Sequence, residues 1–232
     1  MTRFIVIASA KGGTGKTTIA INLAALFNNI GRNITLIDAD LTAPNISTYL
    51  GFPEVPITLH DVLKGKNQTK EAIYLHPSGF KLMPASHSSL PLENFQRKLG
   101  SVLLDLIGKT ELAIIDSAAT LGLETLQALK PADEAIIVTN PELPSVLDAK
   151  KTIKIAEDYG LIVPGVVVNR ARKDKHELSI NEIKSVLQKQ IIGIIPEDKN
   201  MRKSLMMKQP LVYTHTFSSA SRGFKQLAEM LK

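Results

Sequence analysis

Short apolar runs at 4–8, 34–37, 80–83, 112–115, 135–139, 163–168 and 191–195 alternate with stretches of helical periodicity near 17–30, 91–107, 122–130, 144–159 and 177–189. The runs are rich in Ile, Val and Leu and do not alternate with polar residues, so they predict strands buried on both faces. Strands that take turns with helices in this way predict an α/β fold: a mostly parallel, doubly wound sheet flanked by helices, in one domain spanning residues 1–232. Pro and Gly fall between the elements, and no repeat or low-complexity tract marks a linker. A last helix from about Ser218 places Ala220, Phe224, Leu227, Ala228 and Leu231 on one face, a stripe needed to cover the sheet.

Sheets of this kind bind ligands beyond the carboxyl ends of their strands. After the first run, Phe4 to Ala8, residues 9–18 read Ser-Ala-Lys-Gly-Gly-Thr-Gly-Lys-Thr-Thr and lead into a helix. This strand-loop-helix context predicts a phosphate-binding loop, with Gly12, Gly13, Thr14, Gly15, Lys16, Thr17 and Thr18 as the candidate nucleotide-binding residues. The glycines let successive N–H groups turn toward a phosphate, and the helix adds its positive end. Lys16 is expected to neutralise the β and γ phosphates, with the Thr17 hydroxyl on Mg²⁺. The usual first glycine is replaced by Ala10, so the first turn cannot need a strongly positive φ.

A second lysine, Lys11, stands five positions before Lys16. With it the loop resembles the deviant Walker A motif, Lys-Gly-Gly-x-Gly-Lys-Thr-Thr, of the MinD and ParA family of ATPases, closest to archaeal MinD-like proteins. The resemblance spans the chain and includes the segment Leu59-His60-Asp61-Val62-Leu63-Lys64-Gly65-Lys66. It implies that Lys11 reaches across a dimer interface to the partner subunit's phosphates, a cation delivered in trans to charge that develops during phosphoryl transfer. The cofactors implied are ATP/ADP and Mg²⁺.

Other strand ends then take matching roles. Residues 38–45, Asp-Ala-Asp-Leu-Thr-Ala-Pro-Asn, resemble switch I of that family: Asp40 orients the attacking water, Asp38 lies near the Mg²⁺ shell, and Asn45 responds to the γ-phosphate. Residues 116–122 begin with an Asp after an apolar run, a Walker B pattern in which Asp116 holds an Mg²⁺-bound water. Ala118 and Thr120 depart from the family's usual Asp-x-Pro-Ala-Gly, while Gly122 is a candidate hinge for switch II. Asn169-Arg170 and Pro196-Glu197-Asp198 resemble the adenine-binding segments, an amide offering donor and acceptor together and a proline offering a flat wall. The GTPase base motif Asn-Lys-x-Asp is missing, and Thr139-Asn140-Pro141-Glu142 fits the family's strand-end segment instead.

Composition narrows the field. The chain has no cysteine, which excludes disulfides and thiolate or iron-sulfur chemistry, and His60, His76, His87, His176 and His215 show no metal-ligand spacing. No apolar stretch approaches the roughly 20 residues of a membrane span, and no signal-type region precedes the first strand. A cytoplasmic protein is expected, with peripheral membrane or nucleoid association as an alternative. Residues 1–149 carry 12 Lys+Arg against 14 Asp+Glu, and 150–232 carry 16 against 8, so a net of −2 is followed by one of +8. Solvated lysines account for such a bias, and so does a basic face for DNA, anionic lipid or an acidic partner. Met201 to Met207 reads as a packed helix. The helix from Ser218 ends with the chain, so no appended membrane-targeting helix is expected.

The resemblance therefore implies a MinD-like ATPase that forms an ATP-dependent homodimer, hydrolyses ATP to ADP and phosphate, and positions an unidentified activator or cargo protein, for instance at a cell-division site. Two alternatives remain open: a ParA-like partition ATPase that binds DNA nonspecifically, and a P-loop ligase or kinase of small-molecule metabolism.

Overall fold

The computed structural model describes residues 2–86, 96–119, 128, 130–172 and 174–232. The seven expected strands are present as β1 (Arg3–Ala8), β2 (Ile34–Ala39), β4 (Lys81–Met83), β5 (Leu112–Ser117), β6 (Glu134–Thr139), β7 (Ile162–Ala171) and β8 (Ile191–Pro196). An additional two-residue strand, β3 (Tyr74–Leu75), pairs antiparallel with β4 at the sheet edge. The order is β3-β4-β2-β5-β1-β6-β7-β8, and every pairing but the first is parallel.

The apolar runs are explained by two cores, one on each face of the sheet. Along β1, Phe4, Val6 and Ala8 enter one cluster while Ile5 and Ile7 enter the other. The first face is covered by α3 (Leu59–Leu63), α4 (Leu99–Leu104), α5 (Leu143–Asp158) and α6 (Ile180–Leu187). The second is covered by α1 (Lys16–Asn29), α2 (Ile46–Leu50), α8 (Leu211–Thr214) and α9 (Ser219–Met230). The expected stripe of α9 is buried through Ala220, Phe224, Leu227 and Ala228. With no side chain at Gly223, the helix lies close to β8: a Cβ there would meet the Ile194 carbonyl oxygen at 2.7 Å.

Three expectations change. The helix expected over 91–107 is α4, at 99–104, and residues 87–95 lie outside the described residues, as does His87. The helix expected over 122–130 lies almost wholly outside them, with Thr120 and Gly122. The methionine-rich stretch forms α7 (Asn200–Met206), yet it buries only Ser204 fully, and Met206 and Met207 are 84% and 55% exposed. Only Met201 packs partly against the core, because the second face is already covered by α8 and α9. No helix among the described residues is long and apolar enough to cross a membrane.

Candidate functional site

The strand order places β1 between β5 and β6, so the chain leaves its central strand toward one half of the sheet and later returns to build the other. That topological switch opens a crevice at the carboxyl ends of these strands. The register brings acidic residues to its mouth: Ile7 pairs with Asp116, and Asp38 also pairs with Asp116.

The glycine loop caps β1. Gly13 (φ 74°) and Gly15 (φ 98°) adopt left-handed backbone, and Gly15 ends the loop as the N-cap of α1. From inside, the Ser9 hydroxyl bonds to the Lys11 carbonyl oxygen (2.9 Å) and to the Thr14 hydroxyl (2.9 Å). From outside, the Asn169 side-chain amide donates to the Thr14 carbonyl oxygen at 2.6 Å. A Cβ on Gly15 would collide with that amide, so glycine is required there by both conformation and space. The Asn140 amide in turn donates to the Asn169 carbonyl oxygen at 3.4 Å.

The two lysines of the loop have opposite surroundings. Lys16 is 7% exposed and its ammonium donates to Ser9 Oγ at 3.1 Å. Burial pushes its pKa down, against the pull of Asp116 and Asp40. Lys11 has a side chain 47% exposed, and its ammonium meets Glu142 Oε2 at 3.6 Å, just before α5.

Asp116 is buried at 1% exposure. Its carboxyl is pushed up to about 7 by burial, while a hydrogen bond with Thr17 and the charge of Lys16 pull it back. Asp116 Oδ1 finds no donor among the described residues. Such an orphaned buried acceptor is rare in native proteins and calls for an unseen water or ion. Asp38 is also fully buried, and burial followed by the Asp116 charge holds its carboxyl well above the usual range. It accepts from the Ile46 N–H (3.1 Å) and the Asp40 N–H (3.3 Å), so both ends of the 38–46 loop hang on one carboxylate. Asp40 Oδ1 accepts from the Ala43 N–H at 3.0 Å, and the Asn45 amide donates to the Ala43 carbonyl oxygen at 2.6 Å.

The far side of the crevice is formed by β7 and β8. Asn169 is buried, and the exposed Arg170 sits at φ 56° where the β7–β8 register slips between Asn169 and Ala171. Non-glycine residues in this region are strained, and such strain concentrates at functional sites. Glu197 is exposed near Arg172 (3.9 Å). Asp198 has separate work: its Oδ1 accepts from the Asn200 N–H (2.9 Å) and its Oδ2 from Ser219 Oγ (3.0 Å) and the Ala220 N–H (3.1 Å). Burial opposes its ionisation, but these bonds outweigh it and hold the carboxyl at about 2. Asp198 thus fastens the starts of α7 and α9.

Residues 5–211 match the family model of the CobQ/CobB/MinD/ParA nucleotide binding domain. The chain belongs to that family. An uncharacterized ATP-binding protein of Methanocaldococcus jannaschii is 40% identical over 231 residues, covering 98% of this chain and 86% of the relative. The septum site-determining protein MinD of Pyrococcus horikoshii, solved with Mg-ADP, matches with a TM-score of 0.95 at 34% identity, covering 100% and 96% of the two chains. MinD in the MinC:MinD cell division protein complex of Aquifex aeolicus matches with a TM-score of 0.88 at 30% identity, covering 99% and 96%. The expected MinD/ParA relationship and the P-loop fold are therefore shown.

Sequence reasoning missed one member of this site and two contacts. Ser9 ties the loop internally, and its signal was its place at the loop's start. Asn169, expected on the adenine side, also braces Thr14, and Glu142, expected as part of a strand-end segment, meets Lys11.

Proposed function

We propose that the protein is a MinD-like ATPase that dimerises with ATP, hydrolyses it to ADP and phosphate, and serves as a positioning switch for another component. The contrast between the two loop lysines carries this reading. Lys16 is packed into its own chain's site, whereas Lys11, in the same loop, has a half-exposed side chain that meets a surface glutamate. A cation left half in solvent beside a phosphate loop suits delivery to a second subunit.

In this reading the N–H groups from Gly12 to Thr18 cradle the phosphates and Lys16 neutralises the β and γ groups. The Thr17 hydroxyl and the orphaned Asp116 Oδ1 fit a hydrated Mg²⁺, with Asp38 behind them. When bound with ATP, that ion neutralises charge on the β and γ phosphates. Asp40 orients the attacking water, and Lys11 of the opposite subunit stabilises charge as phosphate leaves. Asn45 and Gly122 follow the γ-phosphate as switch residues. Asn169, Arg170, Pro196 and Glu197 form the adenine side, where Asn169 keeps its oxygen for the base while its nitrogen holds Thr14. Asp198 joins that side only through its neighbours, since both its oxygens are engaged. The protein works in the cytoplasm, in contact with a surface or a cargo protein.

Charge supports one second reading, a ParA-like ATPase on DNA. Residues 199–232 hold seven Lys+Arg against one Glu, a surplus of 6 that equals the net charge of the whole chain. The test is the ATPase rate per subunit across protein concentrations, with and without duplex DNA at several salt concentrations. A rate that climbs with protein concentration and ignores DNA supports the MinD-like reading. ATP-dependent DNA binding that weakens steeply with salt supports the second. A rate independent of protein concentration contradicts both.

A further inference from the structure

Switch I is held at a third point besides the two on Asp38. His60 in α3 is 1% exposed, and its Nε2 lies 3.1 Å from the Leu41 carbonyl oxygen. Its Nδ1 accepts from the Ser86 N–H at 3.0 Å, just past the end of β4. A neutral imidazole has one donor and one acceptor, so the Ser86 bond fixes the tautomer: the proton is on Nε2 and is donated to Leu41. Burial pushes the imidazole's pKa below its ordinary value, which keeps the ring neutral at pH 7 and the tautomer fixed. Leu41 directly follows Asp40, and its own side chain is buried in the core of that face. Asp40 is therefore bracketed by anchored backbone, its own N–H on Asp38 and, one residue on, the Leu41 carbonyl on His60.

We propose that His60 is the positioning residue of the hydrolytic site, its Nε2–H setting where the Asp40 carboxylate stands relative to the γ-phosphate. This rests on the ATPase reading above. His60 acts through the Leu41 carbonyl oxygen, not by holding the reacting groups itself. The α3–Ser86 side of the sheet thereby becomes part of the catalytic apparatus, although its residues lie outside the phosphate site. An attacking water misplaced by about 1 Å costs rate on the order of 10²-fold, so a single backbone anchor beside Asp40 is enough to control kcat.

The two nitrogens can be tested separately. In His60→Gln the amide nitrogen occupies the place of Nε2, keeping the donor to Leu41 and giving up the acceptor for Ser86. In His60→Asn the amide oxygen occupies the place of Nδ1, keeping the Ser86 bond and losing the Leu41 donor. Steady-state hydrolysis, affinity for a fluorescent ATP analogue and melting temperature are measured for wild type and both variants, at a protein concentration where wild type is active. The expected result is a kcat for His60→Gln within about threefold of wild type and one for His60→Asn at least about tenfold lower, with affinity unchanged in both. A purely structural role would lower both melting temperatures and leave kcat per folded subunit alike, which overturns the proposal, as does His60→Asn at the wild-type rate. A wild-type protein that hydrolyses no ATP overturns the ATPase reading and this role with it, while active wild type with insensitive variants overturns only the role of His60.

Discussion

The inner and outer halves of the nucleotide site are held in different ways. Inside, Ser9, Lys16, Asp38 and Asp116 are buried, Lys16 bonds to Ser9 and Asp38 to the Ile46 N–H, and Asn169 pins the loop from β7, two strands from β1. Outside, Lys11 and Glu142 meet through solvent-exposed side chains, and the Asn45 side-chain amide bonds to a carbonyl two residues away. Under the proposed function, an inner half whose groups already sit desolvated and oriented receives phosphates and cation without rearranging. The outer half, held by exposed contacts, rearranges more easily, which the proposed meeting with a second subunit requires. One short loop contains a lysine of each kind, and the proposed switch rests on that division.

The sharpest way to break the comparison is at its buried end. Lys16→Ala removes the desolvated cation and is expected to weaken ATP binding by roughly 10²-fold or more, read by titration calorimetry. Lys11→Ala is expected to leave binding to the monomer within a few fold; equal losses in the two variants would erase the distinction.

Asp116→Asn comes next and acts in two directions. Hydrolysis is expected to fall about 10²-fold. Stability of the nucleotide-free protein moves the other way. Because the folded-state pKa of Asp116 is raised to about 7, the folded state binds more protons than the unfolded chain, so stability falls as pH rises from about 4 to 7. The amide variant is expected to melt several degrees higher than wild type at pH 7.5 and to lose part of that pH slope, with Asp38 supplying the remainder. Melting curves from pH 5 to 8 check this, and a destabilised variant at pH 7.5 contradicts it.

Asp198→Ala sharpens the boundary of the site. Two helix starts lose their acceptor, which is expected to cost about 1–3 kcal/mol in denaturant unfolding while ATP affinity changes by less than about threefold. The carboxyl at about 2 adds stability that is lost progressively as pH falls from about 4 to about 2, so the wild type and the variant converge in strong acid. A large affinity loss without destabilisation would return Asp198 to the base site.

The smallest effect belongs to the outer half. An exposed ion pair contributes roughly 0–1 kcal/mol, so Glu142→Gln frees Lys11 by no more than about fivefold. The protein concentration giving half-maximal ATPase rate is expected to drop by up to that factor, and a rise would show Glu142 working for the dimer instead.

How much of this the sequence disclosed follows the same division. Strands such as β1 and β5 were legible because burial on both faces leaves an uninterrupted apolar run, and the glycine loop was legible because its conformation forbids most side chains. The helical stretch expected near 177–189 is α6, whose cap, Ser179 three residues before Glu182, the structure adds. Helices α2 and α3, with five residues each, are too short to show a period. Links between distant segments were not legible at all. Nothing near Asp198 announces Ala220, nothing near Lys11 announces Glu142, and the amide of Asn169 gives no sign that it will face Thr14. Those partners are set by strand order, which puts β6 beside β1, β7 beside β6 and β8 beyond it.

The central claim, that ATP closes two chains over Lys11, is tested most directly by light scattering on size-exclusion-purified Asp40→Ala protein, in which hydrolysis is blocked, with Mg-ATP and with Mg-ADP, alongside Asp40→Ala/Lys11→Ala. The account predicts twice the monomer mass of 25.3 kDa with ATP alone, and monomer in ADP and in the double variant. A monomer under every condition, or a dimer that forms equally well without Lys11, would contradict it.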